Sequence, residues 1–143
     1  MKKVYFTCAI AGGRDYAFVY KDMVKAIKDN DAQVLGEVFA DPNLEAEIGT
    51  DPELSSQNIW ERDTNWLQEA DALIAEGTQP SLGVGYQIAR AENLKKPVLV
   101  LFYRNSRKRF SSMISGNPLI ETCEYTEHAK AKKAIKTFIE KLG

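Results

Sequence analysis

Five short β-rich runs, separated by segments of helical period, constrain this chain more than any other feature. Lys3 to Cys8, Gln33 to Phe39, Asp71 to Glu76, Val98 to Tyr103 and Ile120 to Tyr125 read as strands. Phe18, Met23, Val24 and Ile27 recur at helical spacing between the first two. From Ser56 to Ala70, Ile59, Trp60, Asp63, Trp66 and Leu67 set an apolar stripe beside polar groups. Tyr86 to Leu94 reads as a helix that ends before Pro97, and a short helical segment at Ser111 to Ser115 and a last amphipathic helix to Leu142 follow. Strands joined by helical crossovers lie parallel. The expectation is an α/β, three-layer Rossmann/flavodoxin-like domain with a mostly parallel five-stranded sheet in the order 2-1-3-4-5. The unbroken Val/Leu run of the fourth strand suits a central position.

Size and charge narrow the function. At 143 residues and 44% hydrophobic, the chain is long enough for one core, and 1–143 is expected to be a single domain. Its 19 Lys+Arg against 20 Asp+Glu give a net charge of -1, which argues against nucleic acid or an anionic membrane as partner. No apolar run approaches the roughly 20 residues of a membrane span. A soluble, cytoplasmic protein is expected. Cys8 and Cys123 lie far apart with no spacing that could hold zinc or an iron–sulfur cluster and read as small buried hydrophobes; no metal or cofactor is expected. His128 opens the last helix after a candidate Thr126 cap, a position that suits an exposed polar role better than a Ser-His or Cys-His mechanism.

In such a sheet, ligands sit beyond the carboxyl ends of the strands at the switch point, here the loops after strands one and three. The turn Gln79 to Gly85, with Ser81, Gly83 and Gly85, leads into a helix, where free N–H groups and the helix dipole suit a phosphate. The same turn would also serve as a plain strand-to-helix connection. The first loop, Ala9-Ile10-Ala11-Gly12-Gly13-Arg14, offers an arginine to an anion or to solvent. Asp63, between Trp60 and Trp66, is either an exposed helical carboxylate or a candidate general acid with a raised pKa. The basic run Arg104, Arg107, Lys108 and Arg109 reads as a solvated face or a phosphate-facing edge. The acidic segment from Asp41 to Ser56 reads equally as a lid or as a mobile insertion.

Four stretches carry a family resemblance. They are Tyr5 to Arg14, Asp63 to Asp71, Ala75 to Tyr86 with its Thr78-Gln79-Pro80-Ser81-Leu82-Gly83-Val84-Gly85-Tyr86 string, and Phe110 to Ile114. Together they closely resemble the 2'-deoxynucleoside 5'-monophosphate N-glycosidases of the nucleoside 2-deoxyribosyltransferase superfamily. The resemblance implies cleavage of the N-glycosidic bond to free base and sugar 5-phosphate, through a covalent sugar intermediate as in a retaining glycosidase. It implies Asp63 as the group assisting the leaving base and Tyr5 as a further catalytic residue. It also implies a binding set of Cys8, Ala9, Ile10, Ala11, Gly12, Gly13, Arg14 and Tyr20 around the nucleotide, and Ser81, Gly83 and Gly85 around the 5'-phosphate. Ser111, Ser112 and Met113 would come from the second subunit of a homodimer. Tyr5 and Tyr20 would equally serve as core packing.

The sequence departs from this family at the nucleophile. Gln87 follows Tyr86 where the family has Glu. An amide keeps the shape and hydrogen bonds of a carboxylate but carries no charge and is a poor nucleophile, so binding is expected to survive and turnover to fall about 10³–10⁶-fold. Two explanations stand side by side: a substitution made to trap substrate, or the natural residue of a nucleotide-binding or sensing protein. Glu76, within the third strand, is a poor substitute nucleophile. A deoxyribosyltransferase that passes the sugar to another base is a further alternative. Ala9 and Ala11 stand where relatives often have Ser and Arg, which removes polar groups near the nucleotide.

Overall fold

Crossover helices make consecutive strands run the same way, and in the computed structural model all four strand pairings among the described residues are parallel. The structure describes residues 1–9, 16–41 and 55–143, so Ile10 to Arg14 and most of the candidate lid lie outside the described residues. The elements are β1 (Lys2–Cys8), α1 (Ala17–Asp29), β2 (Ala32–Leu35), α2 (Ser56–Glu69), β3 (Ala72–Glu76), α3 (Leu82–Asn93), β4 (Val98–Tyr103), α4 (Ser112–Ser115), β5 (Glu121–Tyr125) and α5 (His128–Lys141). Their order in the sheet is β2-β1-β3-β4-β5, as the sequence implies.

Strand periodicity sorts the layers. Adjacent residues of β1 point to opposite faces: Tyr5 meets Trp66 of α2 at 6.2 Å between ring centroids, and Phe6 meets Tyr20 of α1 at 6.4 Å. Helices α1 and α5 pack on one face. Right-handed crossovers put α2 and α3 on the other. The apolar run of β4 is buried from Val98 to Phe102, in keeping with its interior place. Lys96 pins α2 to this frame, its ammonium donating to the carbonyls of Leu67, Gln68 and Ala70 at 2.6 Å each. These are C-terminal carbonyls of the kind a helix leaves unpaired.

Several boundaries differ from the sequence expectation. The second strand stops at Leu35, not Phe39. Gly36 takes φ +80°, and Glu37–Ala40 form a 3₁₀ turn. A Cβ at Gly36 would lie 2.7 Å from the Phe6 carbonyl oxygen, so both conformation and space require glycine there. The alternating residues that mimic a strand are instead folded back, and Phe39 packs on Tyr5 at 6.2 Å while its carbonyl accepts from the Cys8 thiol at 3.4 Å.

Helix α3 begins at Leu82, four residues before the expected start, so Gly83 and Gly85 are helical and do not form a loop. Ser81 caps it by accepting the Val84 amide at 3.3 Å, and this cap together with the burial of Val84 and Ile88 offsets the low helix propensity of two glycines. Strand β5 starts at Glu121, with Ile120 buried just before it. Cys8 is buried as expected, but Cys123, on edge strand β5, is only half-buried. Glu127, not Thr126, sits at the start of α5, and no side chain caps that helix. Trp60 is 52% exposed, so the apolar stripe of α2 reaches the core chiefly through Leu67. No helix among the described residues is long and apolar enough to cross a membrane.

Candidate active site

The α2/α3 face at the carboxyl end of β1 gathers the chemistry. Tyr5 and Thr7 project there from alternate positions of the strand, and both are buried. The Tyr5 ring leans on Phe39 and Trp66, which meet each other edge-on at 5.8 Å. Its hydroxyl lies beside Thr7 but closes no hydrogen bond of regular geometry. Burial, reinforced by the negative charge of Asp63, pushes this phenol far above its ordinary range. Tyr5 is therefore a neutral hydroxyl, suited to donating a hydrogen bond and unsuited to acting as a phenolate base.

Asp63 reaches the same place from α2, with only 15% of its side chain exposed. Burial raises its pKa, and the neighbouring Arg62 opposes the rise. The Arg62 Nε donates to Asp63 Oδ1 at 3.0 Å, while its guanidinium lies 4.8 Å from the Trp66 ring centroid and 5.6 Å from that of Phe39. The aromatic pair thus holds the cation that tunes the acid. Arg62 and Phe39 were not legible as site residues. Arg62 stands four residues before Trp66, a spacing that brings side chains together on a helix, and that was the available signal.

Helix α3 supplies the other wall. At 100° per residue, Ser81, Gly85, Ile88 and Glu92 share one flank, which lines a groove of about 960 Å³ against β4 and α4. By the same helical spacing Gln87 falls on the opposite flank, and its buried Oε1 has no hydrogen-bond partner among the described residues. The Nε of Arg90, one turn away, is likewise buried and unpartnered. Tyr86, just before Gln87, stands by Trp60 and Arg90, whose hydrogen bonds lower its pKa. At the start of α3, Val84 N is capped by Ser81 and Gly85 N bonds the Ser81 carbonyl, while the Leu82 and Gly83 amides belong to the first turn, which has no intrahelical acceptors.

The remaining expected site residues are distributed as follows. Cys8 and Ala9 are buried at the end of β1, and Tyr20 is fully buried against Phe6 on the α1 face. Ile10, Ala11, Gly12, Gly13 and Arg14 lie outside the described residues. Ser111, Ser112 and Met113 are exposed. Ser111 and Met113 line the groove on the α3 flank away from Gln87, so the chain does not by itself bring them to Asp63. The rim of that groove is apolar, with Leu82 97% and Met113 82% exposed. Glu76 points to the α1/α5 face and is fully buried, which removes it from the site.

A family profile, nucleoside 2-deoxyribosyltransferase, matches residues 4–135. The chain belongs to this family. Among its relatives, a 5-hydroxymethyl-dUMP N-hydrolase of Rattus norvegicus is 45% identical over 79% of this chain and 68% of its own. A putative 2'-deoxynucleoside 5'-phosphate N-hydrolase 1 of Methanosarcina mazei is 39% identical over 99% of this chain and 86% of its own. The solved CMP N-glycosidase of Clostridium botulinum shares the fold, with a TM-score of 0.65 at 14% identity over 94% of this chain and 98% of that one. Within the family fold, the Arg62–Asp63 contact is directly testable. The cation favours the charged carboxylate, so Arg62→Gln should raise the Asp63 pKa above that of the parent protein. Carbon-13 NMR titration of the Asp63 carboxyl checks this, and an unchanged or lowered value would refute the coupling.

Proposed function

We propose that this protein binds 2'-deoxynucleoside 5'-monophosphates in an N-glycosidase site whose nucleophile position is occupied by an amide. The observation that supports the reading is the convergence of Tyr5, Asp63 and Trp66 on one face, beside which helix α3 carries Gln87 with a buried side-chain oxygen. The names of the relatives supply the substrate class, N-glycosidic bonds of deoxynucleoside monophosphates.

The roles follow from chemistry. Asp63, raised by burial, gives a proton to the departing base as the C1'–N bond breaks. A carboxylate at position 87 would attack C1' to form a glycosyl ester that water then hydrolyses, with Asp63 taking back a proton. Gln87 can still hydrogen-bond sugar hydroxyls but cannot form that ester. The uncharged amide also removes a repulsion toward the 5'-phosphate, so the ground state binds well while the transition state loses its stabilisation. Ser81 and the first-turn amides of Leu82 and Gly83 receive the phosphate. A second copy of the chain covers the apolar rim formed by Leu82 and Met113 and brings its own Ser111 to that phosphate. A binding protein without turnover is the second reading, favoured by the amide itself.

Chromatographic detection of free base from a panel of deoxynucleoside monophosphates tests the reading. Gln87→Glu should release base at least about 10³-fold faster than the parent protein. Release by neither protein would leave the binder as the surviving account, and equal release by both would refute the nucleophile assignment. Ser111→Ala should weaken monophosphate binding without altering the circular dichroism of the protomer. Unchanged affinity would sink the shared site.

A further inference from the structure

A second buried carboxyl lies on the opposite face of the sheet from Asp63. Glu76 ends β3, directed into the α1/α5 layer, with no exposed surface. Its Oε2 accepts from the Tyr125 hydroxyl, and its Oε1 accepts from the Thr78 amide at 2.7 Å. Thr78 is itself buried, and its hydroxyl accepts from the Tyr103 amide at 2.8 Å. Gly77 N extends the ladder to the Leu101 carbonyl at 2.8 Å, and a Cβ at Gly77 would meet Val100 at 2.9 Å. The two residues that leave β3 are thus fastened to β4 directly and to β5 through Glu76 and Tyr125.

A carboxylate in the core is costly, about several kcal/mol before its partners compensate. Burial pushes Glu76 up, and the donations from Tyr125 and Thr78 pull it down. His128 also faces it, in ring contact with Tyr125 at 6.3 Å and itself paired with Asp22 of α1 at 2.8 Å. Simple core filling does not call for such a residue. Two donors converge on this point, Tyr125 O–H and Thr78 N–H, and a carboxylate offers two acceptor oxygens without adding a donor. A glutamine could accept from one of them only by aiming its own N–H₂ at the other.

What the carboxylate holds still is the turn that feeds α3. Gln79, Pro80 and the capping Ser81 follow Thr78 directly, so the position of Thr78 sets where the Ser81 hydroxyl and the Leu82 and Gly83 amides sit. We propose that Glu76 is a positioning residue for 5'-phosphate recognition, acting through Thr78 from the far side of the sheet. The inference rests on the phosphate role given to Ser81 above. It assigns a functional reason to a carboxyl that the N-glycosidic chemistry does not use.

The test is a ratio of affinities. Dissociation constants for 2'-deoxyuridine 5'-monophosphate and for 2'-deoxyuridine are measured with the parent protein, Glu76→Gln and Tyr125→Phe. Glu76→Gln should weaken the monophosphate by about tenfold, the size of one charge-assisted hydrogen bond, and leave the nucleoside within about twofold. Tyr125→Phe, which spares the Thr78 contact, should move the ratio in the same direction by less. An unchanged ratio, or equal weakening of both ligands, would overturn the proposal, the latter by making Glu76 a general structural residue. A parent protein that binds the monophosphate no better than the nucleoside would instead refute the phosphate reading itself, and this inference with it. If Glu76→Gln does not fold, Tyr125→Phe and Thr78→Val, which deprives the Tyr103 amide of its acceptor, carry the same comparison.

Discussion

The side-by-side pairing of β1 and β3 is the constraint on which the rest of the structure depends. The chain leaves β1 for α1 on one face and leaves β3 for α3 on the other, so a crevice opens between the two strand ends. Every candidate group is set by its distance from that crevice. Tyr5 and Thr7 line one side of it, and Thr78 opens the turn on the other. Helix α2 crosses back over β1 and lowers Asp63 in from above, its C-terminal end fixed by Lys96. The pairing Cys8 with Glu76 marks the last rung of the β1–β3 ladder. Beyond that rung side chains join the hydrogen bonding, the Glu76 carboxyl accepting the Thr78 amide and the Thr78 hydroxyl the Tyr103 amide.

Charge at this rung is divided between the two faces. Asp63 and Glu76 are both substantially buried carboxyls raised by desolvation, yet their surroundings differ in kind. Asp63 has a cationic neighbour, Arg62, itself stacked on aromatics, and is partly open. Such a group can exchange a proton with a ligand. Glu76 has both oxygens occupied by donors and no opening, so its part is to hold the backbone. Position 87 adds no charge to this pair. With an amide there, Asp63 is the carboxyl that the described residues bring to the α2/α3 face beside Tyr5.

Much of this was legible in the sequence because the signals were local and strong. The apolar run of β4, the alternation of strand and helix periods and the parallel order all follow from side-chain pattern and crossover geometry. Asp63 between two tryptophans announced a carboxyl in an apolar setting. The failures have physical reasons too. Gln33 to Phe39 alternates like a strand, but Gly36 adopts a left-handed conformation that breaks the ladder and returns Phe39 to the core. The glycines at 83 and 85 suggested a loop, whereas a serine cap and the packing of Val84 and Ile88 make that segment helical. The partnership of Glu76, Thr78, Tyr103 and Tyr125 joins residues up to 49 positions apart. No periodicity reports such a contact, and only the register of three strands creates it.

The central claim is that one ligand spans two halves of this crevice, its base and sugar against Tyr5, Asp63 and Gln87 and its phosphate on the first turn of α3. Backbone amide NMR separates the halves most directly, by titrating a 2'-deoxynucleoside 5'-monophosphate and then its nucleoside into the protein. The account predicts that residues around Tyr5 and Asp63 respond to both ligands, while Leu82 and Gly83 shift strongly only with the monophosphate. Shifts at Leu82 and Gly83 that are equal for the two ligands, or absent for both, would contradict it.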